Sequence, residues 1–444
     1  MRLKLNRYLE TARSSLFLVP MVAVVLAVLL GQVGLWIDAR LDSGSASSLP
    51  SALTSTVESA RAVLSTVAGA TISFAGIAFS VSLLIIQLGS SQYSPRVVHT
   101  LFRDPFNKRV MGLVVGTFTF SLIVLRSVRS PFENGDDPVI PNLSVAMSVV
   151  LGVASILAIV AFINHSAHSM DISEVLERVA REAIDHAQAE ERLNPPPGDE
   201  GPPPPPSDGP SFTVRLDRSG WIQQIDLSAL ADCAERGATV VLHTAPGRYA
   251  VRRTPLCTVT PAPNDGDGAA ERARSAVVIG ETRTMQQDPS YGIRQLVDVA
   301  LKALSPGVND PTTAQDAIFH IASVLGELLH QPARHVVRNF NERRLVLEQF
   351  VTHGDLVSLA FDEVRRAARD QPLVCVYLLE SLGLLHESLG AADITSALES
   401  LEGQARLVLA GCEAEPGVLA SDLAEVHQAF RKRFGEHAIP EARS

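Results

Sequence analysis

The chain has 444 residues, a formal charge of −10 and 46% hydrophobic residues, with a mean hydropathy of +0.17. That length exceeds one ordinary domain and that hydropathy excludes an ordinary soluble protein, so a membrane portion is expected within a chain of two or three parts. Residues 1–170 hold 12 Lys and Arg against 8 Asp and Glu, and the rest 26 against 40; an acidic tail without a dense basic run argues against nucleic acid as the partner, because phosphate binding leans on clustered cations.

Arg2, Lys4, Arg7 and Arg13 precede a first apolar run over residues 16–37. It exceeds the roughly 7–15 residue core of a signal peptide and no small-x-small cleavage site follows, so an uncleaved span is expected. Pro20 lies near its inner end, where the first helical turn tolerates a missing donor.

The second run, residues 62–88, crosses a hydrocarbon core of about 30 Å with some tilt. At about 100° per residue, Thr66, Gly69, Ser73, Gly76, Ser80 and Gln87 share an arc of roughly 80°. Lipid offers hydroxyls and amides no partner, so this stripe should look at protein or water. It reads as a packing face, with Gly69/Ser73 and Gly76/Ser80 as small-xxx-small pairs, or as one wall of a water-filled path between several copies.

Pro95 ends that helix in the turn Ser90–Arg96 and places Arg96 near the membrane surface. Arg96 serves either to orient the chain and pair with lipid phosphate, or to act in gating. Third and fourth spans are expected at 110–125 and 143–163, giving four. Gly112, Gly116 and Thr119 share a face of the third, and Ser144, Ser148, Gly152 and Ser155 a face of the fourth, both suited to helix packing. The N-terminal arm and the turn holding Arg96, Arg103, Lys108 and Arg109 carry more cations than the other two loops. Both termini are therefore expected on the cytoplasmic side of a plasma (inner) membrane, with Glu133, Asp136 and Asp137 outside. The transmembrane domain spans 1–165, and a homo-oligomer in the lipid bilayer is expected.

Residues 166–193 read as an amphipathic helix, with Ile172, Val175, Leu176, Val179 and Ala183 at helical spacing. His165, His168 and Asp171 stand at i, i+3 and i+6, read as interfacial residues because no fourth metal ligand accompanies them. The proline-rich segment 194–210 is a linker. Residues 211–290 read as a β-rich module, with strands near 212–216, 221–225, 239–243 and 249–252 and a helix near 227–235. Residues 291–444 read as an all-α module. Within it a helix ends at Ser305-Pro306-Gly307, and Asp310-Pro311 opens the next as N-cap and first helical residue. Arg283, Asp288, Asn309, Asp310 and Thr312 are candidates for a polar ligand site, weighed against a locally capped turn.

The four cysteines, Cys233, Cys257, Cys375 and Cys412, are widely spaced and read as reduced thiols. The sequence contains no Walker loop, nucleophile elbow, HExxH or paired zinc motif, so no catalytic residue, metal or cofactor is assigned. FSVSLLIIQLGSSQYSPR at 79–96, GWIQQID at 220–226 and ALSPGVNDPTTA at 303–314 together resemble a family of predicted bacterial integral membrane proteins catalogued as a domain of unknown function. The resemblance implies a four-span membrane region and a cytosolic domain, without an established activity; Gln87, Arg96, Asn309 and Asp310 match its motifs. Here the proline linker is extra, and Arg248-Tyr249 with Arg252-Arg253 replaces a more glycine-rich strand turn. The fold expected is a four-span α-helical membrane bundle followed by a cytosolic α+β region. The function expected is an oligomeric channel or transport-like protein with a regulatory domain, or else a non-conducting scaffold or sensor.

Overall fold

A computed structural model describes residues 18–42, 55–92, 105–129, 140–168, 171–193, 205–331, 337–349, 351–392 and 394–435. The chain divides into two units, Met1–Asp171 and Ile172–Ser444. Arg96 and the acids at 133, 136 and 137 lie outside the described residues.

The first unit holds α1 (Leu18–Asp42), α2 (Val57–Gln92), α3 (Pro105–Ser127) and α4 (Asn142–His168). Each expected span falls within one of these, although α1 is described only from Leu18. All four are long and apolar enough to cross a membrane, and a later helix, Pro372–Ala391, also meets that description. Small residues set how the first four pack. A Cβ on Gly112 of α3 would stand 3.3 Å from Ala23 Cβ of α1, and one on Gly152 of α4 would stand 3.1 Å from a Val67 methyl of α2. Such closeness gives dispersion contact where lipid supplies no hydrophobic drive. Hydroxyls join α3 to α4: Ser121 and Ser148 are 2.8 Å apart, and Ser155 donates to Thr117 at 3.0 Å. The Asp38 carboxylate of α1 accepts from the amides of Leu143 and Ser144 and from the Ser144 hydroxyl. It caps the first turn of α4, where free amides and the helix dipole favour an anion.

The second unit runs α5 (Ile172–Leu193), β1 (Phe212–Arg215), β2 (Gly220–Ile225), α6 (Leu227–Ala231), β3 (Thr239–Leu242), β4 (Tyr249–Ala250), β5 (Pro255–Thr260), α7 (Gly266–Ser275), β6 (Val277–Gly280), α8 (Ser290–Ala303), α9 (Pro311–His330), β7 (Val337–Phe340), β8 (Arg343–Leu347), α10 (His353–Ala367), α11 (Pro372–Ala391), α12 (Thr395–Glu413) and α13 (Ala420–Phe434). One sheet has the order β1-β5-β3-β8-β7 and a smaller one β4-β2-β6. Val214, Ile222, Leu230, Val240, Leu256, Val259 and Leu345 form a single buried core. The α5 helix is amphipathic as its spacing predicts, with Val175, Leu176, Val179 and Ala183 buried against α8 and α9.

The stretch read as all-α departs from that expectation at 337–347. There β7 and β8 form a hairpin, and β8 lies parallel to β3 with Val240 opposite Leu345. Tertiary pairing decides the outcome, because Leu345, between Arg343-Arg344 and Val346-Leu347 with no clear alternation, becomes apolar core only once β3 is beside it. The turn is visible in Asn341 and Glu342, both at positive φ (50° and 64°), as a two-residue hairpin whose twist suits the strands requires. Strands β5 and β6 and helix α7 are likewise not announced by the periodicity of 255–280. The apolar α11 is packed by α9, α12 and α13, and its Gly383 admits the Arg433 stem.

Candidate functional site

The small polar stripe lies on α2. Among the described residues, those of α2 buried within the chain are Ala60, Leu64, Ala68, Thr71 and Ala78. At about 100° per residue they face roughly opposite the stripe. Thr66, Gly69, Ser73, Gly76, Ser80 and Gln87 are all exposed, and among the described residues nothing lies within 4 Å of a Cβ built on Gly69 or Gly76. Ile72, Phe79 and Leu83 flank the stripe on one side and Ile77 and Leu84 on the other, all exposed. The stripe is thus a shallow strip of small residues between apolar ridges. Its hydroxyls are internally satisfied: Thr66, Ser73 and Ser80 each donate to the carbonyl four residues back, at 2.7, 2.9 and 2.9 Å.

The contrast with the other three apolar helices is direct. Gly112 and Gly116 of α3 meet α1, Gly152 of α4 meets α2, and Gly31 and Gly34 of α1 meet Ile123 and Ser144. Those seams are used inside the chain; the α2 stripe is not.

The polar candidates of the second unit form two groups. Arg283 donates from Nε to Asp288 Oδ2 at 2.6 Å, while Ser290 Oγ bonds the other carboxylate oxygen. Asp288 is 6% exposed. The guanidinium stacks 5.0 Å from the Tyr291 ring and 5.9 Å from Trp221. Gly247 permits the arrangement: its φ is 80°, and a Cβ there would fall 2.1 Å from Asp288 Oδ2. A second lock lies alongside, where Gln224 donates to Gln286 at 2.6 Å and Gln287 bonds both backbone groups of Ile225. These partners join the GWIQQID strand to the loop before α8. Sequence reading missed them, although the repeated Gln-Gln pairs at 223–224 and 286–287 are a visible signal.

Asn309, Asp310 and Thr312 stand past the other end of α8, which is 14 residues long, or about 20 Å at 1.5 Å per residue. The structure therefore does not bring them together with Arg283 and Asp288. Asp310 is the N-cap of α9, accepting from the Thr313 amide at 3.1 Å and its hydroxyl at 2.6 Å. The Thr313 hydroxyl, then the amide, hold the Asp310 carboxyl below the usual carboxylate range. The start of α9, a candidate anion site, is thus occupied by its own cap. Asn309 takes φ 48°, and it and Thr312 are exposed.

All four cysteines are free and buried. Cys233 and Cys257 hydrogen-bond to each other, which together with burial raises the Cys257 thiol. His165 of the membrane unit packs against Phe106 with the rings tilted by 55° and their centroids 4.8 Å apart.

A unit of long apolar helices followed by a folded α/β and helical module defines a membrane protein with a large appended region. The family model described as Predicted membrane protein (DUF2254) matches residues 13–383, and the chain belongs to that family. It is similar to uncharacterized proteins of Mycobacterium bovis and Mycobacterium tuberculosis, each 31% identical over 347 residues and covering 74% of this chain. The chain spans 64% of the length of these relatives. No solved structure matches it.

Proposed function

We propose that the chain acts as an oligomer in which the α2 stripes of several copies meet around a path for small polar or ionic solutes, with the second unit as a cytosolic regulatory module. The observation that carries this reading is that three spans use their small-residue seams inside the chain while α2 leaves its own open. In this reading α1 to α4 are the spans in an inner membrane, α11 belongs to the module, both termini are cytoplasmic, and the chain carries out no chemistry. Liposomes holding the purified protein should pass ions down an imposed gradient, and Ser80→Leu should abolish that flux while leaving assembly intact. Absence of flux under every gradient would sink the conducting reading.

The second reading is a non-conducting scaffold. The hydroxyl bonds of Thr66, Ser73 and Ser80 to their own helix favour it, since such a face tolerates dry helix contact and needs no water. Ser73→Leu and Ser80→Leu variants that lose assembly in detergent, in a protein that never conducts, would decide for it.

A further inference from the structure

A strongly basic surface has been assembled from two turns that are separate in sequence. The β1–β2 turn and the β4–β5 turn are tied by backbone bonds: Arg253 N to Leu216 O at 2.9 Å and Leu216 N to Thr254 O at 3.0 Å. The Ser219 hydroxyl accepts from Arg252 N at 2.8 Å. Arg215 reaches the Arg253 carbonyl at 3.0 Å, and Arg274 reaches the Arg215 carbonyl at 2.8 Å. Five arginines, Arg215, Arg218, Arg252, Arg253 and Arg274, are thereby gathered on one exposed surface. Among the described residues none of the five forms an ion pair with a carboxylate. Asp217 is the single acid on the two turns. Tyr249 and Val251 are 57% and 54% exposed beside them, with Tyr249 braced edge-on against Trp221 at 5.4 Å.

Two features mark this surface as more than solvated charge. It stands on a unit that is otherwise acidic, with 26 Lys and Arg against 40 Asp and Glu over residues 171–444, so a polyanion meets attraction here and repulsion elsewhere. Arg253 also holds φ 73°, the left-handed region that a glycine would occupy without strain. A cation is kept at a position where the backbone alone favours glycine.

We propose that these two turns are a docking surface for the anionic headgroups of the bilayer in which the same chain is embedded. Arginines pair with lipid phosphates, and the exposed Tyr249 and Val251 enter the boundary between headgroups and acyl chains. Lipid is favoured over other polyanions for two reasons. The apolar helices of the chain keep headgroups at high effective concentration around the module. An apolar pair between the cations suits a bilayer boundary better than a sugar-phosphate backbone.

The test places the full chain in nanodiscs of neutral phosphatidylcholine, or of the same lipid with about one third phosphatidylglycerol. Amide hydrogen exchange is followed over residues 247–255. Exchange there should slow about tenfold in the anionic discs only and return to the neutral-disc rate at about 0.5 M salt. Arg252→Gln with Arg253→Gly, which relieves the positive φ, should retain the thermal midpoint and lose the protection. Arg218→Gln at an exposed site serves should that pair fail to fold, and should lose part of the protection. Equal exchange in both discs, or protection that survives these substitutions, overturns the proposal. Protection in neutral discs by an added single-stranded oligonucleotide, as strong as that from anionic lipid, overturns it in favour of nucleic acid.

Discussion

The Arg283–Asp288 pair and the Asp310 cap are both carboxylates with satisfied oxygens, yet their environments set different worths. Asp288 is buried, with Arg283 and Ser290 as its partners. Removing it strands a guanidinium whose side chain is only 21% exposed. Asp288→Ala should therefore cost about 3 kcal/mol, the lower end for breaking a buried pair, because Arg283 keeps some water. Asp310→Ala removes one cap and should cost about 1 kcal/mol at neutral pH. The folded Asp310 carboxyl titrates below its unfolded value. Its contribution is therefore complete above a pH of about 4 and is lost as pH falls through the folded value. Urea titrations should show the gap between wild type and Asp310→Ala closing on acidification. A gap that held constant into acid would mean the carboxylate charge is not what caps α9. These residues show how far the sequence could be read. Asp310-Pro311 is legible because a cap is a local matter, whereas whether Arg283 and Asp288 lie beside Asn309 is not, since residue types do not disclose the 14-residue helix between them.

At the scale of elements, the glycines of the membrane unit separate two kinds of seam. Gly112→Leu or Gly152→Leu forces a side chain onto Ala23 or Val67, which stand 3.3 and 3.1 Å from the Cβ position. Overpacking of that kind costs about 1–3 kcal/mol and should lower the thermal midpoint of the detergent-solubilised chain. A Cβ added at Gly69 or Gly76 meets nothing within 4 Å among the described residues, so in Gly69→Leu and Gly76→Leu the single chain should keep its midpoint while native mass spectrometry reports loss of the oligomer. A lowered midpoint with assembly retained would remove the reason for placing a second copy at α2. The helical periodicity found all these seams, but it could not say which are consumed inside the chain, because that depends on which helix lies opposite. The β7–β8 hairpin was hidden for a related reason, its apolar residues being explained only by β3. Its turn offers a compact check. Glu342 stands at φ 64°, and its ion pair with Arg236 is 3.7 Å long with both side chains over 70% exposed, so that contact contributes little. Glu342→Gly should then stabilise the second unit by up to about 1 kcal/mol in urea titration.

For the whole molecule, the division between Asp171 and Ile172 gives α5 to the second unit, although in sequence it is separated from the sheet by the proline-rich segment. Its Val175, Leu176 and Val179 are 2% exposed or less, and Ala183 abuts Gly292 of α8, where an added Cβ would stand 2.4 Å away. Burying each of the three larger side chains contributes about 1.5–3 kcal/mol. Their sum is comparable with the 5–15 kcal/mol by which a typical domain is stable. A fragment of residues 172–435 should accordingly unfold in one cooperative transition, whereas residues 205–435, which lack α5, should be largely unfolded or aggregated. The four buried cysteines report the difference directly: a thiol reagent should react slowly with the longer fragment and quickly with the shorter. If the shorter fragment protected its thiols equally well, α5 would be a spacer lying on the module, and the module's core would begin only at the sheet. If it did not, any signal passing along the chain from α4 at His168 would enter a helix built into the core of the second unit, which is the coupling the proposed regulatory role requires.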